Sequence, residues 1–574
     1  MKDFSLLRKN LKKDFSSFRS LKVALLGDTP TQLLVQAIRG EGYDAELDIQ
    51  IWEADYNQIE MQVFNSDSEM FAFNPDVIVL FLSSHKLLNK YNILKVEQQS
   101  DLATSEIEKI ESYITTITEN STAKIICYNY NEIDDSVFGS YASKSEISFL
   151  YQIRKLNFEL MCIANQYNNF FLCDLATIQN QVGKSNFFHT SVYISTEMVL
   201  SLNVLPLVAK RTVDVLKVLN GNLKKCVILD LDNTVWGGVI GDDGIENIQI
   251  GSLGIGKAFT EFQNWVKKLK SRGIIIAVCS KNTESIAKEP FEKHPDMVLR
   301  LDDISVFIAN WENKADNIRE IQSILNIGFD SMVFLDDNPF ERNLVRENII
   351  GITVPELPED PAEYLEYLYT LNLFETNSFS EEDKERTKLY QIEAKRVVTK
   401  QKFTNEDDFL KSLDMVSIVS SFTKFNIPRV AQLSQRSNQF NLRTIRYTES
   451  DVENLVKSND YITFAFTLKD KFGDNGLIAV VVLKKNCETD LFIESWFMSC
   501  RVLKRGMENF ILNTLVSYSK TNGFKRIIGE YIPTQKNEIV KDHYQNLGFL
   551  QENSLWTLAS ETYKDRANYI TMML

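Results

Sequence analysis

The stretch VILDLDNTVWGG, residues 227–238, runs an apolar segment into two aspartates, Asp230 and Asp232. A short apolar run of this kind predicts a strand buried on both faces of a parallel sheet. Two carboxylates at one strand end repel each other, so another group must compensate their charge. The fold and the function both depend on what that group is.

Three downstream segments supply polar side chains at comparable positions. IIIAVCS ends in Ser280, MVFLDDN carries Asp336 and Asp337, and WENKADNI places Lys314 at the predicted start of a helix. The carboxyl ends of parallel strands meet at one edge of a sheet, where α/β folds bind ligands. We therefore expect these side chains to converge on the first acidic pair.

Several carboxylates in one crevice require a hard cation, and Mg²⁺ prefers oxygen ligands. Such a site suits phosphoryl transfer, in which positive groups neutralise the phosphate oxygens. Asp230 can attack phosphorus as a nucleophile, and Asp232 can serve as acid and base. Ser280 and Lys314 are expected to bind the phosphate. The expected metal ligands are Asp230, Asp232, Asp336 and Asp337.

The ordered set of DxDxT, strand–Ser, Lys and strand–DD resembles the haloacid dehalogenase (HAD) superfamily. DLDNTVWGG together with FLDDNPFER resembles its FkbH-like branch, in subfamily IIIC. That resemblance implies a Mg²⁺-dependent enzyme that dephosphorylates an acyl phosphate. The expected substrate is 1,3-bisphosphoglycerate, a phosphorylated three-carbon metabolite, whose glyceryl unit the enzyme transfers. The resemblance implies as partner an acyl carrier protein, whose phosphopantetheine thiol receives the glyceryl unit.

The segment after Trp236 is short and rich in glycine. About twenty residues separate it from the helix predicted near Gly256, which leaves room for a flap but not for a cap domain. A crevice without a cap is open to a bulky substrate, such as one carried on a protein, although a small substrate also fits.

Two cysteines are candidates for an acyl-carrying thiol. Cys279 directly precedes Ser280, and FkbH-like proteins are similar in having a cysteine here. Burial as a small apolar residue is the alternative for it. Cys500, next to Arg501, is the second candidate. We place Cys279 first because it lies beside the predicted phosphate chemistry.

Arg501, Arg505 and Gly506 directly precede an amphipathic helix. A basic loop with glycine at a helix N-terminus can bind pyrophosphate or phosphopantetheine, although it can also be a plain turn. With NEIVKDHYQNLGF it resembles the GNAT acyltransferase fold, which places Tyr544 near the thiol of the carrier arm. Lys504 stands where such loops usually have a further glycine.

Near the N-terminus, LLGDTPTQ and NFFH resemble SGNH-type esterases, but Thr29 replaces the serine and Asn186 the aspartate. An amide does not stabilise an imidazolium as a carboxylate does, so the triad is incomplete. We therefore interpret His189 as an ordinary histidine and the domain as a degenerate hydrolase fold used for binding.

The sequence predicts a multidomain α/β protein with an SGNH-like domain, a capless HAD-like Rossmannoid domain and an α+β GNAT-like domain. The predicted strands before the HAD-like domain are VALLG (23–27), VIVLFLS (77–83), KIICYN (124–129) and FFLCDL (170–175), and MVLR (297–300) is predicted as a strand within it. The predicted domains are 1–215, 222–360, a helical connector at 361–405, and 406–574.

The composition limits the class of protein. A net charge of −15 argues against nucleic acid as the main ligand. The seven cysteines form no CxxC pair, and no apolar h-region or bilayer-length apolar run is present, so we expect a cytoplasmic protein without a membrane partner.

Two alternatives to acyl transfer stay open. One is a capless phosphatase with an accessory acyltransferase-like domain. The other is a scaffold that binds carrier proteins and has an idle HAD site.

Overall fold

The computed structural model describes residues 3–400, 402–534 and 536–573. Contacts within the chain divide it into two units, with the boundary between Lys217 and Val218. In the part of the chain that is described, no helix is both long and apolar enough to cross a bilayer.

The first unit is built on a five-stranded sheet of order β2-β1-β3-β4-β5 in which every pair is parallel. Its strands are β1 (Arg19–Gly27), β2 (Leu47–Glu53), β3 (Val77–Phe81), β4 (Lys124–Tyr128) and β5 (Phe170–Cys173). The four predicted strands are present. β2 was not predicted, because LDIQIWE is an edge strand with mostly half-exposed residues rather than a continuous buried run.

Helices cover this sheet, and the longer ones bury an apolar stripe against it. The helices are α1 (Phe4–Asn10), α2 (Gln32–Asp44), α3 (Ile59–Val63), α4 (Glu69–Phe73), α5 (Ser84–Ile93), α6 (Val96–Gln99), α7 (Leu102–Asn120), α8 (Phe149–Gln166), α9 (Leu175–Val182), α10 (Lys184–Phe187), α11 (Thr190–Thr196) and α12 (Leu205–Leu219).

The second unit begins with a four-stranded parallel sheet of order β8-β7-β6-β9. Its strands are β6 (Cys226–Leu229), β7 (Ile275–Ser280), β8 (Val306–Ala309) and β9 (Met332–Leu335). Val227 and Leu229 point into one hydrophobic core, and Cys226 and Ile228 into the other. Burial on both faces explains why VIL reads as a continuous apolar run rather than an alternating one.

The prediction of a strand at MVLR is wrong. Residues 297–300 form no ladder, because the backbone N–H groups of Val298 and Leu299 donate to the side-chain carbonyl of Gln263, at 2.9 and 3.1 Å. The apolar side chains Met297 and Leu299 are nevertheless buried in the core. The strand position next to β7 is taken by β8, which follows directly in the chain.

The helices that follow are α13 (Ile240–Asp243), α14 (Gly254–Ser271), α15 (Glu284–Lys293), α16 (Lys314–Leu325), α17 (Pro339–Asn348), α18 (Tyr364–Leu371), α19 (Glu381–Lys384) and α20 (Arg386–Lys400). Local sequence sets the starts of two of them. Asn313 caps α16 and Asn338 caps α17, each by accepting a backbone N–H with its side chain. The flap between Trp236 and α14 contains only α13 and one isolated bridge, so no cap domain is present there.

The chain ends in a mixed eight-stranded sheet of order β15-β16-β14-β13-β12-β11-β10-β17. Its strands are β10 (Met415–Ser420), β11 (Tyr461–Asp470), β12 (Gly473–Lys485), β13 (Asp490–Met498), β14 (Arg526–Glu530), β15 (Leu550–Glu552), β16 (Leu555–Ala559) and β17 (Ile570–Met573). The helices are α21 (Glu406–Lys411), α22 (Ile427–Arg436), α23 (Glu449–Lys457), α24 (Met507–Thr521) and α25 (His543–Asn546). The predicted class, a multidomain α/β protein with an α+β C-terminal part, is confirmed.

Candidate active site

Three carboxylates meet at the C-terminal edge of the β6–β9 sheet. Leu229 and Leu335 are paired in register, so the residues after them, Asp230 and Asp336, lie level with each other. Asp337 joins them, and each of the three side chains offers an oxygen within 4.8 Å of the others. Like charges held this close are stable only with a positive partner.

One partner is Lys314, the first residue of α16, whose side chain is almost fully buried. Its Nζ lies 3.0 Å from Oδ2 of Asp230 and 2.7 Å from Oδ2 of Asp336. Burial alone lowers the pKa of Lys314, but the two carboxylates raise it above its usual range, so the amine stays charged. Burial and the charge of Asp230 raise the pKa of Asp336 to about 7.

The donor set fits a divalent cation. Among the residues that the structure describes, Lys314 forms ion pairs with two of the three carboxylates, so the site keeps an excess of negative charge on hard oxygen donors. Mg²⁺ prefers oxygen ligands of this kind, and it commonly retains several waters. The residues that could hold it are Asp230, Asp336 and Asp337.

Asp232, the fourth expected metal ligand, has its side chain outside the cluster of Asp230, Asp336 and Asp337, so its role at the metal stays a prediction. Its Oδ1 accepts hydrogen bonds from Nε1 of Trp236 at 2.9 Å and from the backbone N–H of Ile240 at 3.0 Å. Its Oδ2 accepts one from Nδ2 of Asn282 at 2.8 Å. Both oxygens are therefore engaged by donors of the flap and of the loop after β7, and burial raises the pKa of this carboxyl.

Ser280 ends β7 at the same edge of the sheet, where a phosphate-binding hydroxyl was expected. Sequence reasoning missed two residues that hold the acidic pair in place. The hydroxyl of Thr234 accepts the backbone N–H of Asp337 at 3.1 Å, and Nη1 of Arg342 donates to the carbonyl oxygen of Asp337 at 2.6 Å. Thr234 is the threonine of DxDxT, and Arg342 is the arginine of FLDDNPFER. The sequence motifs therefore contained both residues, although no role was predicted for them.

The structure does not present the thiol of Cys279 to the crevice. This side chain is fully buried in the hydrophobic core behind the site, beside Ile228 and Phe334. Its Sγ lies 3.7 Å from the carbonyl oxygen of Lys314, and burial raises the pKa of the thiol. The prediction that Cys279 carries the acyl group is therefore wrong. The alternative given for it, a small buried apolar residue, is what the structure shows.

Cys500 lies at the other end of α16 from the site. Nδ2 of Asn326, which follows α16, donates to the carbonyl oxygen of Cys500 at 2.6 Å, whereas Lys314 at the start of α16 contacts the aspartates. The twelve residues of this helix separate its ends by roughly 18 Å. An acyl group released at Asp230 cannot pass directly to Cys500, so that candidate is also corrected.

The two arginines expected to contact a pantetheine arm are buried. Arg505 forms ion pairs with Glu393 of α20 and Asp470 of β11, and these three side chains are largely inaccessible. Arg501 is also buried, with its guanidinium over the ring of Tyr390. Because α20 supplies both Glu393 and Tyr390, the arginines tie this helix to the C-terminal sheet instead of facing a ligand.

The loop at Gly506 is also occupied by the chain itself. Gly506 has a φ of +76°, which makes the tight turn before α24. Glu508 lies in the first turn of α24, where a pyrophosphate was expected; burial raises the pKa of its carboxyl group, and the backbone N–H groups of Glu508 and Lys504 lower it. Tyr544 is buried directly under Gly529, so its hydroxyl does not reach an open cleft.

A gap between β13 and β14 is also filled by a segment of the chain itself. The two strands pair only between Asp490–Phe492 and Arg526–Ile528. Beyond that point Leu442 takes the place of β14: its N–H donates to Trp496 at 3.2 Å, and its carbonyl accepts from Ile532 at 2.9 Å. The C-terminal sheet is thereby closed where β13 and β14 diverge.

In the first unit, the esterase-like residues form no triad. The hydroxyl of Thr29 is buried without a hydrogen-bond partner. Nδ2 of Asn186 donates to the carbonyl oxygen of Val182, and His189 is exposed before α11. These positions agree with the interpretation of His189 as an ordinary histidine, whereas the likeness to SGNH-type esterases stays a prediction.

Comparison with known proteins identifies the family over most of the chain. The family model described as FkbH, N-terminal domain, matches residues 22–217. A solved structure, the N-terminal part of the protein BF1531 from Bacteroides fragilis, is 58% identical and covers 66% of this chain and 100% of that chain, with a TM-score of 0.63. The chain belongs to the FkbH-like family of the HAD superfamily. The Bacteroides fragilis protein contains a phosphatase domain and was crystallised as a complex with Mg.

Other solved structures similar to this FkbH-like chain match about a quarter of it. The ribosomal-protein-S18-alanine N-acetyltransferase from Escherichia coli is 12% identical and covers 26% of this chain and 99% of that chain, with a TM-score of 0.21. Ard1 from Thermoplasma volcanium is 16% identical and covers 25% of this chain and 95% of that chain, with a TM-score of 0.20. No curated protein matches the chain.

Proposed function

We propose that this FkbH-like chain is a Mg²⁺-dependent phosphatase in which Asp230 is the nucleophile. The observation that carries the proposal is the cluster of Asp230, Asp336 and Asp337 within 4.8 Å, bridged by the buried ammonium of Lys314. The phosphatase domain of the Bacteroides fragilis relative, complexed with Mg, supports the same assignment. A bound Mg²⁺ neutralises charge on the phosphate oxygens and so makes phosphorus easier to attack.

The residues of the chain divide the chemistry between them. An oxygen of Asp230 attacks phosphorus, the bond from phosphorus to the leaving oxygen breaks, and Asp232 gives that oxygen its proton. Asp232, now ionised, takes a proton from the water that cleaves the aspartyl phosphate. Lys314 orients Asp230 and, together with Ser280, binds the transferred phosphoryl group.

The finer proposal concerns the substrate. In 1,3-bisphosphoglycerate one phosphate is an acyl phosphate and the other is an ester. A thiolate that attacks the acyl carbon displaces the first phosphate by breaking a C–O bond, which forms a thioester. Attack by Asp230 on phosphorus breaks a P–O bond, so this site suits removal of the ester phosphate. We propose that the acyl carbon passes to the thiol of a carrier protein, since neither Cys279 nor Cys500 is placed to hold it.

The test is incubation with 1,3-bisphosphoglycerate and a holo carrier protein, followed by phosphate release and by the intact mass of the carrier. We expect release of both phosphates and a carrier that gains a glyceryl group. The matched variant Asp230→Asn should leave the ester phosphate on the product. Phosphate release without a mass gain on the carrier favours the plain phosphatase, and no phosphate release at all favours the idle scaffold.

A further inference from the structure

The carboxylate of Asp232 lies in a rigid frame of hydrogen-bond donors. The indole of Trp236 is fully buried and packs edge-on against the ring of Phe291, with ring centroids 5.8 Å apart. Its Nε1 donates to Oδ1 of Asp232 at 2.9 Å. Because the ring has no room to turn, this N–H is a fixed donor.

The second donor comes from the loop after β7. Asn282 is 4% exposed, and its Nδ2 donates to Oδ2 of Asp232 at 2.8 Å. The backbone N–H of Ile240, at the start of α13 in the flap, completes the frame at 3.0 Å. Each carboxylate oxygen of Asp232 therefore accepts a hydrogen bond from a buried side chain.

We propose that Trp236 and Asn282 are positioning residues that aim Asp232 at the leaving oxygen of a phosphate ester. The inference rests on the proposed phosphatase function. No cap domain is inserted between Trp236 and α14, and the hydrogen-bond donors to this carboxyl group come from the flap and from the loop after β7. This role also accounts for a tryptophan in DLDNTVWGG beyond simple packing.

The role predicts a dependence on the leaving group. When a phosphate ester is cleaved, the alkoxide that leaves is a strong base, and it takes the proton of Asp232 as the P–O bond breaks. When an acyl phosphate is cleaved at phosphorus, the product that leaves is a stable carboxylate and needs no proton. Misplacing Asp232 should therefore slow formation of the aspartyl phosphate from an ester but not from an acyl phosphate, whereas the later hydrolysis, in which Asp232 is the base, is common to both substrates.

The experiment uses Trp236→Phe, which keeps an aromatic ring in the cavity but removes the N–H, and Asn282→Ala, which removes the second donor. In the Mg²⁺-loaded full chain, kcat/KM is measured with 3-phosphoglycerate and with acetyl phosphate. A hydrogen bond to a charged group contributes about 1.5–3 kcal/mol, so each variant should lose roughly 10- to 100-fold with the ester. With acetyl phosphate neither kcat/KM should change, because kcat/KM reports the steps up to release of acetate and not the later hydrolysis of the aspartyl phosphate. Trp265→Phe, in the same core but away from Asp232, is the matched control and should alter neither rate.

A double-mutant cycle separates positioning from packing. If Trp236 acts through Asp232, then Asp232→Asn combined with Trp236→Phe should be no slower than Asp232→Asn alone. An additive loss, or an equal loss with both substrates, would overturn the inference. If Trp236→Phe fails to fold by circular dichroism, the same criteria are applied to Asn282→Ala. A wild-type chain that hydrolyses neither substrate refutes the proposed function instead, so the two failures are distinguishable.

Discussion

Replacing Lys314 by methionine tests the electrostatics of the acidic cluster. Methionine keeps most of the volume of the lysine stem and removes its charge. Lys314 is 2% exposed, and it neutralises Asp230 and Asp336, which are themselves buried. Removing one partner of a buried ion pair costs about 3–5 kcal/mol, since the remaining charges are left without compensation. We expect Lys314→Met to lower the free energy of unfolding by about this amount in EDTA.

The assay is urea unfolding of the full chain with and without Mg²⁺. The matched control is Lys293→Met, because Lys293 forms an ion pair of 2.7 Å with Glu289 in which both side chains are exposed, by 65% and 36%. A pair of that kind contributes little to stability. Saturating Mg²⁺ should raise the free energy of unfolding of Lys314→Met more than that of the wild type, because the cation compensates the same carboxylates. If Lys314→Met loses no more stability in EDTA than Lys293→Met, the account of the cluster is refuted.

Three further predictions concern the same unit. Asp230→Asn should abolish phosphatase turnover without lowering the melting temperature in EDTA, because one of three repelling charges is removed; a lower melting temperature contradicts this. The folded-state pKa of Asp336, about 7, lies above its ordinary value of 3.8, so between those values the folded state binds more protons than the unfolded state. Stability without metal should therefore fall as pH rises from about 4 to about 7, and Asp336→Asn should flatten this slope in urea midpoints. Coenzyme A should give no binding heat in calorimetry, because Glu508 occupies the helix N-terminus and Arg505 is committed to ion pairs; saturable binding would contradict this.

The acidic site could be predicted because each of its parts is local in sequence. Strand ends are set by short apolar runs, and the carboxyl ends of neighbouring parallel strands share an edge, so Asp230, Ser280 and Asp336 follow from pattern alone. Lys314 follows from its place at a helix start. The pattern did not predict the hydrogen-bond partner of each polar atom. The oxygens of Asp232, for example, accept hydrogen bonds from Trp236, Ile240 and Asn282.

The errors have a common physical cause. MVLR has the composition of a strand, but the side chain of Gln263 takes the backbone N–H groups that a ladder needs. Arg505 precedes a helix as a phosphate-binding residue does, yet carboxylates from distant segments bury it. Cys500 lies far from Asp230 because α16 stands between them. In each case a contact remote in sequence decided the outcome.

The most direct test of the account is to look for the phosphoryl group on Asp230. The Mg²⁺-loaded chain is mixed with 3-phosphoglycerate, quenched in acid within one turnover, and mapped by peptide mass spectrometry. We predict one phosphoryl group on the peptide that contains residues 227–238, located at Asp230 and absent in Asp230→Asn. Turnover of the substrate with this peptide unmodified, or with the label on another residue, would contradict the central claim.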